Sequence, residues 1–368
     1  MELFVRHLAR DPATFNPSID KKDEMYQDTL TSCKGDAVSA MWHYLDTGKR
    51  MRDVIKQIVE WGFGGFDNLS SLMDFACGYG RVTRFLVQDM PAGRIWASDI
   101  YSDAVGFQVE QFGVNGVVSA VKPENYNNAN RYDFIFVASL FSHLPEKTFH
   151  SWLKKLYSLL SPTGLLVFSV HDIELKPQRL KAGKNGICFV SESESGSLDK
   201  QSYGTSYVSE AFVNDAIAGI PHDTAASVHI KRGLNGFQDL YIVSRDTGRD
   251  FSRLDFNYGP SGWLDKCGMD KNGEVYFLGW AADFNKDTSL SEVQLFINNN
   301  IVQRCTPGGK RPDVAEHFQN EKGMNSGWSF SLQKGSVSPG DIVTIIIINS
   351  REIENILRIG TLESMLTA

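Results

Sequence analysis

The sequence predicts an α/β fold, a doubly wound and mostly parallel sheet of seven strands, followed by an all-β sandwich. Three observations predict it. Between residues 69 and 170, short apolar runs alternate with amphipathic segments in the order β-α-β-α-β-β-α-β, the pattern of a parallel sheet covered by helices on both faces. Two further strand-like runs, at 226–231 and 239–244, bring the strands to seven. Beyond about residue 252 helical periodicity nearly vanishes, and short strand patterns follow one another between Gly, Asn, Asp and Pro. A chain of 368 residues is long enough for two domains.

The elements follow in order. Residues 1–22 are polar and hold Pro12 and Pro17, so they read as an irregular arm. Residues 23–62 look helical: Met41, Tyr44 and Leu45 share one face, and Met51, Val54, Ile55, Ile58 and Val59 form a second stripe. Gly62, Gly64 and Gly65 stop the helix. Strands are expected at 69–75, 94–98, 116–121, 132–139 and 165–170, and helices at 81–88, 102–112 and 146–160. The last of these helices has Phe149, Trp152, Leu153, Leu156, Leu159 and Leu160 as its apolar face, and Ser161-Pro162-Thr163-Gly164 is a turn. Residues 171–206 are polar and Gly/Ser-rich, with SESESGS at 191–197; such a segment is either a substrate lid or a surface excursion. A helix is expected at 207–217, and Gly233 and Gly236 join the last two strands. The boundaries are 1–64 for the arm and first helices, 65–251 for the α/β domain and 252–368 for the sandwich, whose strands are expected at 274–280, 292–298, 328–333 and 341–349.

Composition excludes several functions. A net charge of -7 argues against nucleic acid, which needs a positive footprint. The densest basic stretch, Lys176, Arg179, Lys181 and Lys184, reads as a solvated loop, with contact to an acidic substrate as the alternative. Cys33, Cys77, Cys188, Cys267 and Cys305 are scattered, without a CxxC pair or zinc-ligand spacing, so neither a metal site nor a disulfide scaffold is expected. The charged N-terminus does not read as a signal peptide, and the longest apolar run, 342–348, is expected to be a buried strand rather than a membrane span. A reducing, cytoplasmic setting is the expectation.

The most informative stretch is Leu72-Met73-Asp74-Phe75-Ala76-Cys77-Gly78-Tyr79-Gly80-Arg81. An apolar strand ends in an acid, and a turn with Gly78 and Gly80 opens a helix, which lets backbone approach a ligand closely. A second acid, Asp99, closes the next strand 25 residues further on, where a carboxylate can take both hydroxyls of a ribose. A dinucleotide site would want three glycines around a pyrophosphate. Two glycines flanking bulky Tyr79 favour a cofactor without phosphates and disfavour a nicotinamide oxidoreductase.

With these motifs, residues 65–245 resemble the class I, Rossmann-like methyltransferases that use S-adenosylmethionine. The resemblance implies that Asp74, Ala76, Cys77, Gly78, Gly80 and Arg81 face the methionine part of the cofactor, with Ala76 in place of the usual first glycine. It implies that Asp99 holds the ribose, that Ile100 lies towards the adenine, and that Ser139, Leu140 and Phe141 border the methyl-transfer site. Tyr26 is either the tyrosine that covers the cofactor in similar proteins or a helix-packing residue. Where the family often has an acid near the adenine, this sequence has Val121 and Lys122, and no residue is assigned to that contact.

Methyl transfer to a hydroxyl needs alignment, exclusion of water and a base, for which His suits neutral pH. His143 and His171 both follow strands at the ligand-bearing edge of the sheet. Each is a candidate base; His143 is alternatively a partner of the following helix's N-terminus. Asp172 could orient His171 or bind substrate, and Tyr203 and Tyr207 either contact substrate or pack the next helix.

The C-terminal stretch has Gly-Trp pairs at 279–280 and 327–328, VQLFINNNIV at 293–302 and Arg311-Pro312-Asp313-Val314. It resembles β-sandwich domains attached to bacterial enzymes of surface-polysaccharide biosynthesis. That implies an acceptor that is a sugar hydroxyl or another small molecule, and a glycan-assembly partner or homo-oligomer through this domain. Trp263, Trp280 and Trp328 are expected to fill the sandwich core, with stacking on sugars as the alternative. Against the enzyme stands one competing reading, a binding or scaffold protein with a decayed methyltransferase domain.

Overall fold

The computed structural model describes residues 5, 8–181, 183–193, 195–220 and 225–366. The chain divides into two compact units, one built from the chain up to Gly35 with His43–Phe256, the other from Asp36–Trp42 with Asn257 onward.

In the first unit, α1 (Glu24–Ser32) is capped by Asp23, whose side chain accepts from the Tyr26 amide. Lys34 and Gly35 take positive φ, so the helical region expected at 23–62 is broken before α2 (Ala37–Phe63). The sheet is built from β1 (Leu72–Phe75), β2 (Ile95–Asp99), β3 (Asn115–Val118), β4 (Tyr132–Val137) and β5 (Leu160–Asp172), parallel in the order β3-β2-β1-β4-β5. Between these strands run α3 (Thr83–Leu86), α4 (Ser102–Phe112) and α5 (Glu146–Ser158). The Ser161–Gly164 turn is a loop-out in β5: pairing jumps from Tyr132–Leu160 to Phe134–Leu165.

Two differences from the sequence reading lie after β5. The polar segment contains β6 (Ile187–Val190) and β7 (Thr205–Val208), a short antiparallel ribbon whose β7 pairs with the end of β5 at His171–Tyr207. Tyr207 is therefore a strand residue, and α6 (Glu210–Ala218) begins later, capped by the Ser209 side chain. Then β8 (Ala226–Leu234) and β9 (Gln238–Ser244) complete the sheet, β9 antiparallel to β5 and β8 beyond it.

All four residues of β1 are buried because helices cover both sheet faces. Met73 and Phe75 point to the side of Phe149, Trp152, Leu153 and Phe212 from α5 and α6. Leu72, one residue out of phase, joins Met51, Ile55, Ile58 and Val59 of α2 on the other side.

The second unit is an antiparallel sandwich. One sheet has the order β10 (Ser261–Met269), β11 (Val275–Ala282), β14 (Gly327–Leu332). The other has β13 (Asn300–Cys305), β12 (Leu290–Ile297), β15 (Ile342–Asn349), β16 (Glu354–Thr361). Val275 and Phe277 from the first sheet meet Val293, Leu295, Ile345 and Ile347 from the second. Between β13 and β14 lies α7 (Pro312–Phe318), and the last described element is α8 (Leu362–Leu366). The expectation for the tryptophans holds for one of three. Trp328 is in the core, Trp280 is half-buried on the outer sheet face, and Trp263 is 61% exposed. The register explains it: Trp263 pairs with Trp280, and both are out of phase with inward-facing Phe277 and Ala281.

Candidate active site

The turn after β1 is held by backbone geometry. Ala76 adopts φ 57, the left-handed region, at the position where the resemblance expects glycine. The amides of Ala76 and Cys77 both donate to the Ser98 carbonyl, at 2.7 and 3.3 Å. Gly78 and Gly80 also have positive φ. At Gly80 a Cβ would sit 2.5 Å from the Phe112 ring, whereas at Gly78 it would meet nothing within 4 Å. Gly80 is thus required by conformation and packing, Gly78 by conformation alone.

Three buried polar side chains brace this turn. Gln108 donates to the Gly78 carbonyl at 2.7 Å. Arg84, fully buried, donates to the carbonyls of Gly80, Tyr79 and Ser18, and its guanidinium lies over the Tyr44 and Phe112 rings. Thr83 donates to Asp74 at 2.9 Å. Burial pushes the Asp74 carboxyl up to about 7; Thr83 opposes this and nearby Asp99 adds to it. Asp99 accepts from the Gly78 amide at 2.8 Å and the Tyr101 amide at 3.0 Å, and burial raises its carboxyl too. Each oxygen thereby uses one lone pair and keeps another for a ligand hydroxyl.

Beside the turn opens a cavity of about 980 Å³, the size that takes a cofactor-sized molecule. Its wall includes Asp74, Ala76, Cys77, Gly78, Arg81, Asp99, Ile100, Ser139, Leu140, His143 and Tyr203 of the predicted site residues. Gly80, Tyr26, Phe141, His171, Asp172 and Tyr207 are not part of the wall. The position of Tyr26 on the wall is taken by Met25, and the Tyr26 ring packs edge-on against Tyr44. Phe141 is in the core against Phe149 and Phe168. The polar segment reaches the cavity through Ser195, Ser197, Leu198, Asp199 and Ser202. The Tyr101 hydroxyl meets that of Ser197 at 2.5 Å, and Ser197 donates to Glu24 at 3.2 Å. The basic stretch from Lys176 to Lys184 does not line the cavity. Among the described residues, Asp23, Glu24, Asp74, Asp99, Asp103 and Asp199 face it together with Lys22 and Arg81, an acidic lining suited to a cation.

The two histidines differ sharply. His143 is buried in the cavity wall, its Nδ1–H donating to the Gly204 carbonyl at 2.7 Å and its ring stacked on Tyr203 at 4.5 Å. A carbonyl only accepts, so the proton of the neutral ring sits on Nδ1 and Nε2 is the basic nitrogen. His171 lies behind it, with ring centroids 6.4 Å apart. Its Nε2 accepts from Gln238 at 3.1 Å, its Nδ1 is buried without a hydrogen bond, and burial followed by the proximity of His143 lowers it to about 4. Asp172 does not orient His171: it accepts from the Glu174 amide and lies 3.7 Å from Lys231. Tyr207 packs against the His171 ring.

Gln238 was not foreseen. It donates to Ser139 at 3.0 Å and accepts from Ser169 at 2.6 Å, while Ser169 accepts from the Ser139 amide at 2.9 Å. This ring of bonds holds Ser139 at φ 63 on the cavity wall. The available signal was topological: an antiparallel last strand starts at the edge where the parallel strands end. Among the described residues, no group of three or more His, Cys, Asp or Glu is arranged to hold a metal ion, and no helix is long and apolar enough to cross a membrane.

The chain is similar to several solved structures. The plantazolicin methyltransferase BpumL, in complex with SAH, is 12% identical with a TM-score of 0.40, over 61% of this chain and 96% of that one. N-methyltransferase NodS from Bradyrhizobium japonicum is 16% identical with a TM-score of 0.37, over 60% and 98%. The 1,6-didemethyltoxoflavin-N1-methyltransferase of Burkholderia thailandensis is 20% identical with a TM-score of 0.36, over 62% and 91%. No curated protein matches the chain. A family model described as a methyltransferase domain matches residues 41–200, the stretch that runs from α2 through the turn after β1, His143 and β5 to the polar segment.

Proposed function

We propose that this protein is an S-adenosylmethionine-dependent methyltransferase that methylates an oxygen of a small hydroxyl acceptor, a sugar of surface-glycan biosynthesis by the sequence resemblance. The observation that carries the reading is the constellation of left-handed Ala76, Gly78 and Asp99 at the head of an acidic cavity that also holds His143.

These residues fit the cofactor. Asp99 takes the ribose hydroxyls on its remaining lone pairs, and Gly78, without a side chain, leaves the approach to the turn open. The acidic wall complements the sulfonium charge, which is the source of the transferable methyl. Ala76, Cys77, Arg81, Ile100, Ser139 and Leu140 complete the pocket. His143 acts as general base: with its proton on Nδ1 facing Gly204, Nε2 removes the hydroxyl proton of the acceptor. Tyr203 fixes the imidazole plane by stacking and contributes to acceptor contact. Leu140, Leu144 and Leu198 supply apolar wall that excludes water.

The test is calorimetric titration with S-adenosylmethionine and S-adenosylhomocysteine, beside an Asp99→Ala variant. Micromolar binding that falls on the order of a hundredfold in the variant supports the reading, the loss expected for two charge-assisted hydrogen bonds. A folded wild-type protein that binds neither compound overturns it in favour of the scaffold reading.

A further inference from the structure

The polar segment between β6 and β7 is fastened to the rest of its unit at two places, by different means. At the end beside His143 the fastening is buried and mostly backbone. The Gly204 amide donates to the His143 carbonyl at 2.9 Å, and the His143 ring donates back to the Gly204 carbonyl at 2.7 Å. Two residues on, the buried Ser206 hydroxyl donates to the Leu144 carbonyl at 2.5 Å.

At the other end, beside Asp99, the fastening is a row of hydroxyls. Ser197 donates to Glu24 at 3.2 Å, since a carboxylate only accepts. A serine has one hydroxyl proton, so the 2.5 Å bond between Ser197 and Tyr101 is donated by Tyr101. With the Tyr101 proton used as well, Ser195 donates to Tyr101 at 3.2 Å, while its own oxygen accepts from the amides of Ser197 and Leu198, both at 3.3 Å. The row runs Ser195, Tyr101, Ser197, Glu24, each proton directed towards the carboxylate. Ser197 and Glu24 are exposed, so water competes for the bonds at that end. Tyr101 joins the row to the cavity: its amide donates to Asp99 at 3.0 Å, and all four members of the row line the wall. Between the two fastenings the chain makes one turn, in which the amides of Ser202 and Tyr203 donate to the Asp199 carbonyl at 3.1 and 2.8 Å.

We propose that residues 195–202 are a lid over the cofactor half of the cavity, hinged at the turn that Asp199 opens and latched by Tyr101, so that cofactor is exchanged without dismantling the His143 half. The inference rests on the reading of the cavity as a cofactor site. The latch consists of side-chain bonds open to water, whereas the bonds at Gly204 and Ser206 are buried, so the latch is the set that breaks first. Breaking it uncovers Asp99 and leaves Gly204 on His143 and Tyr203 stacked on the imidazole. Glu24 is the first residue of α1, so the latch spans the mouth from the N-terminal side to the polar segment.

The experiment uses the full chain and Tyr101→Phe, which keeps the ring and removes the two bonds of the hydroxyl, with Ser197→Ala as a second variant. Both should keep the wild-type melting temperature. In stopped flow, read by intrinsic fluorescence with Trp152 on the cavity wall as reporter, association and dissociation of S-adenosylhomocysteine should both speed up by about tenfold, the change expected from losing two exposed hydrogen bonds, while Kd stays within about threefold of wild type. Amide hydrogen exchange of the chain without cofactor should speed up by a similar factor over 195–202 and stay unchanged over β7. A Kd that weakens in step with dissociation alone would make Tyr101 a direct cofactor contact and overturn the proposal. So would unchanged rates, or exchange that accelerates equally in β7, which would mean that the segment moves as one piece. A wild-type chain that binds no S-adenosylhomocysteine overturns the methyltransferase reading, and the exchange measurement then still decides whether the latch holds the lid.

Discussion

The two halves of the cavity are built by different means. The edge after β1 and β2 is made of backbone: left-handed turns, amides aimed at Asp99 and glycines whose missing side chains open the approach. The edge after β4 and β5 is made of side chains brought from distant positions: His143 against Gly204 and Tyr203, and Ser139 against Gln238. A backbone site is specified by local sequence, because glycine, acid and strand follow one another along the chain. A side-chain site is specified by topology.

If that division is right, substitutions on the second edge change turnover and substitutions on the first change folding and cofactor affinity. The largest contrast is between the two histidines. His143→Gln should lower kcat by about 10²–10⁴-fold, the usual contribution of a general base, with cofactor affinity unchanged. His171→Gln should cost less than about tenfold, since His171 is off the cavity wall and its low pKa leaves it neutral. Equal losses in steady-state kinetics would break the comparison.

Within the turn, Gly80→Ala should destabilise by about 3 kcal/mol, combining left-handed strain with a collision against Phe112. Gly78→Ala keeps the strain without the collision and should cost about 1 kcal/mol in urea denaturation. A reversed order would mean that the turn is not held by the packing of α4.

A further effect concerns pH. Asp74 titrates at about 7, raised by burial, so below that value it is largely protonated. A sulfonium cation nearby favours the ionised form. Binding of S-adenosylmethionine should therefore release a proton below pH 7, and affinity should rise with pH through that value by up to about tenfold. S-adenosylhomocysteine, whose sulfur is neutral, should show a flatter profile. Calorimetry in buffers of different ionisation enthalpy reads the proton directly, and identical profiles for the two compounds would remove Asp74 from the cation's environment.

What could be read in the sequence follows the same division. Strand, acid, GxG and the second acid are contiguous signals, and from them the turn could be located, with Asp74, Ala76, Cys77, Gly78, Arg81, Asp99 and Ile100 lining the cavity. The ribbon β6–β7 escaped notice because four-residue strands in a polar, glycine-rich segment carry too short an alternation. In the sandwich, β10, β13 and β16 were missed because their burial does not alternate cleanly: all three are edge strands, and β13 is largely exposed. Residues 312–318 form a helix that opens on Pro312, where only a motif was visible. Of the residues named from sequence, Tyr26 and His171 lie off the cavity wall, which Met25 and the other candidate histidine, His143, line. Side-chain direction at an element's end depends on local torsions that periodicity does not report.

Arg84 ties together pieces that are far apart in the chain. The same guanidinium holds the Gly80 and Tyr79 carbonyls of the turn and the Ser18 carbonyl of the N-terminal arm. Further along the arm, Asp23 bonds the Tyr44 hydroxyl and Lys22 pairs with Asp103. Ordering of the turn and docking of the arm are thus linked equilibria, and linkage is reciprocal. Whatever occupies the turn must favour the docked arm, and undocking the arm must weaken occupancy of the turn by the same factor.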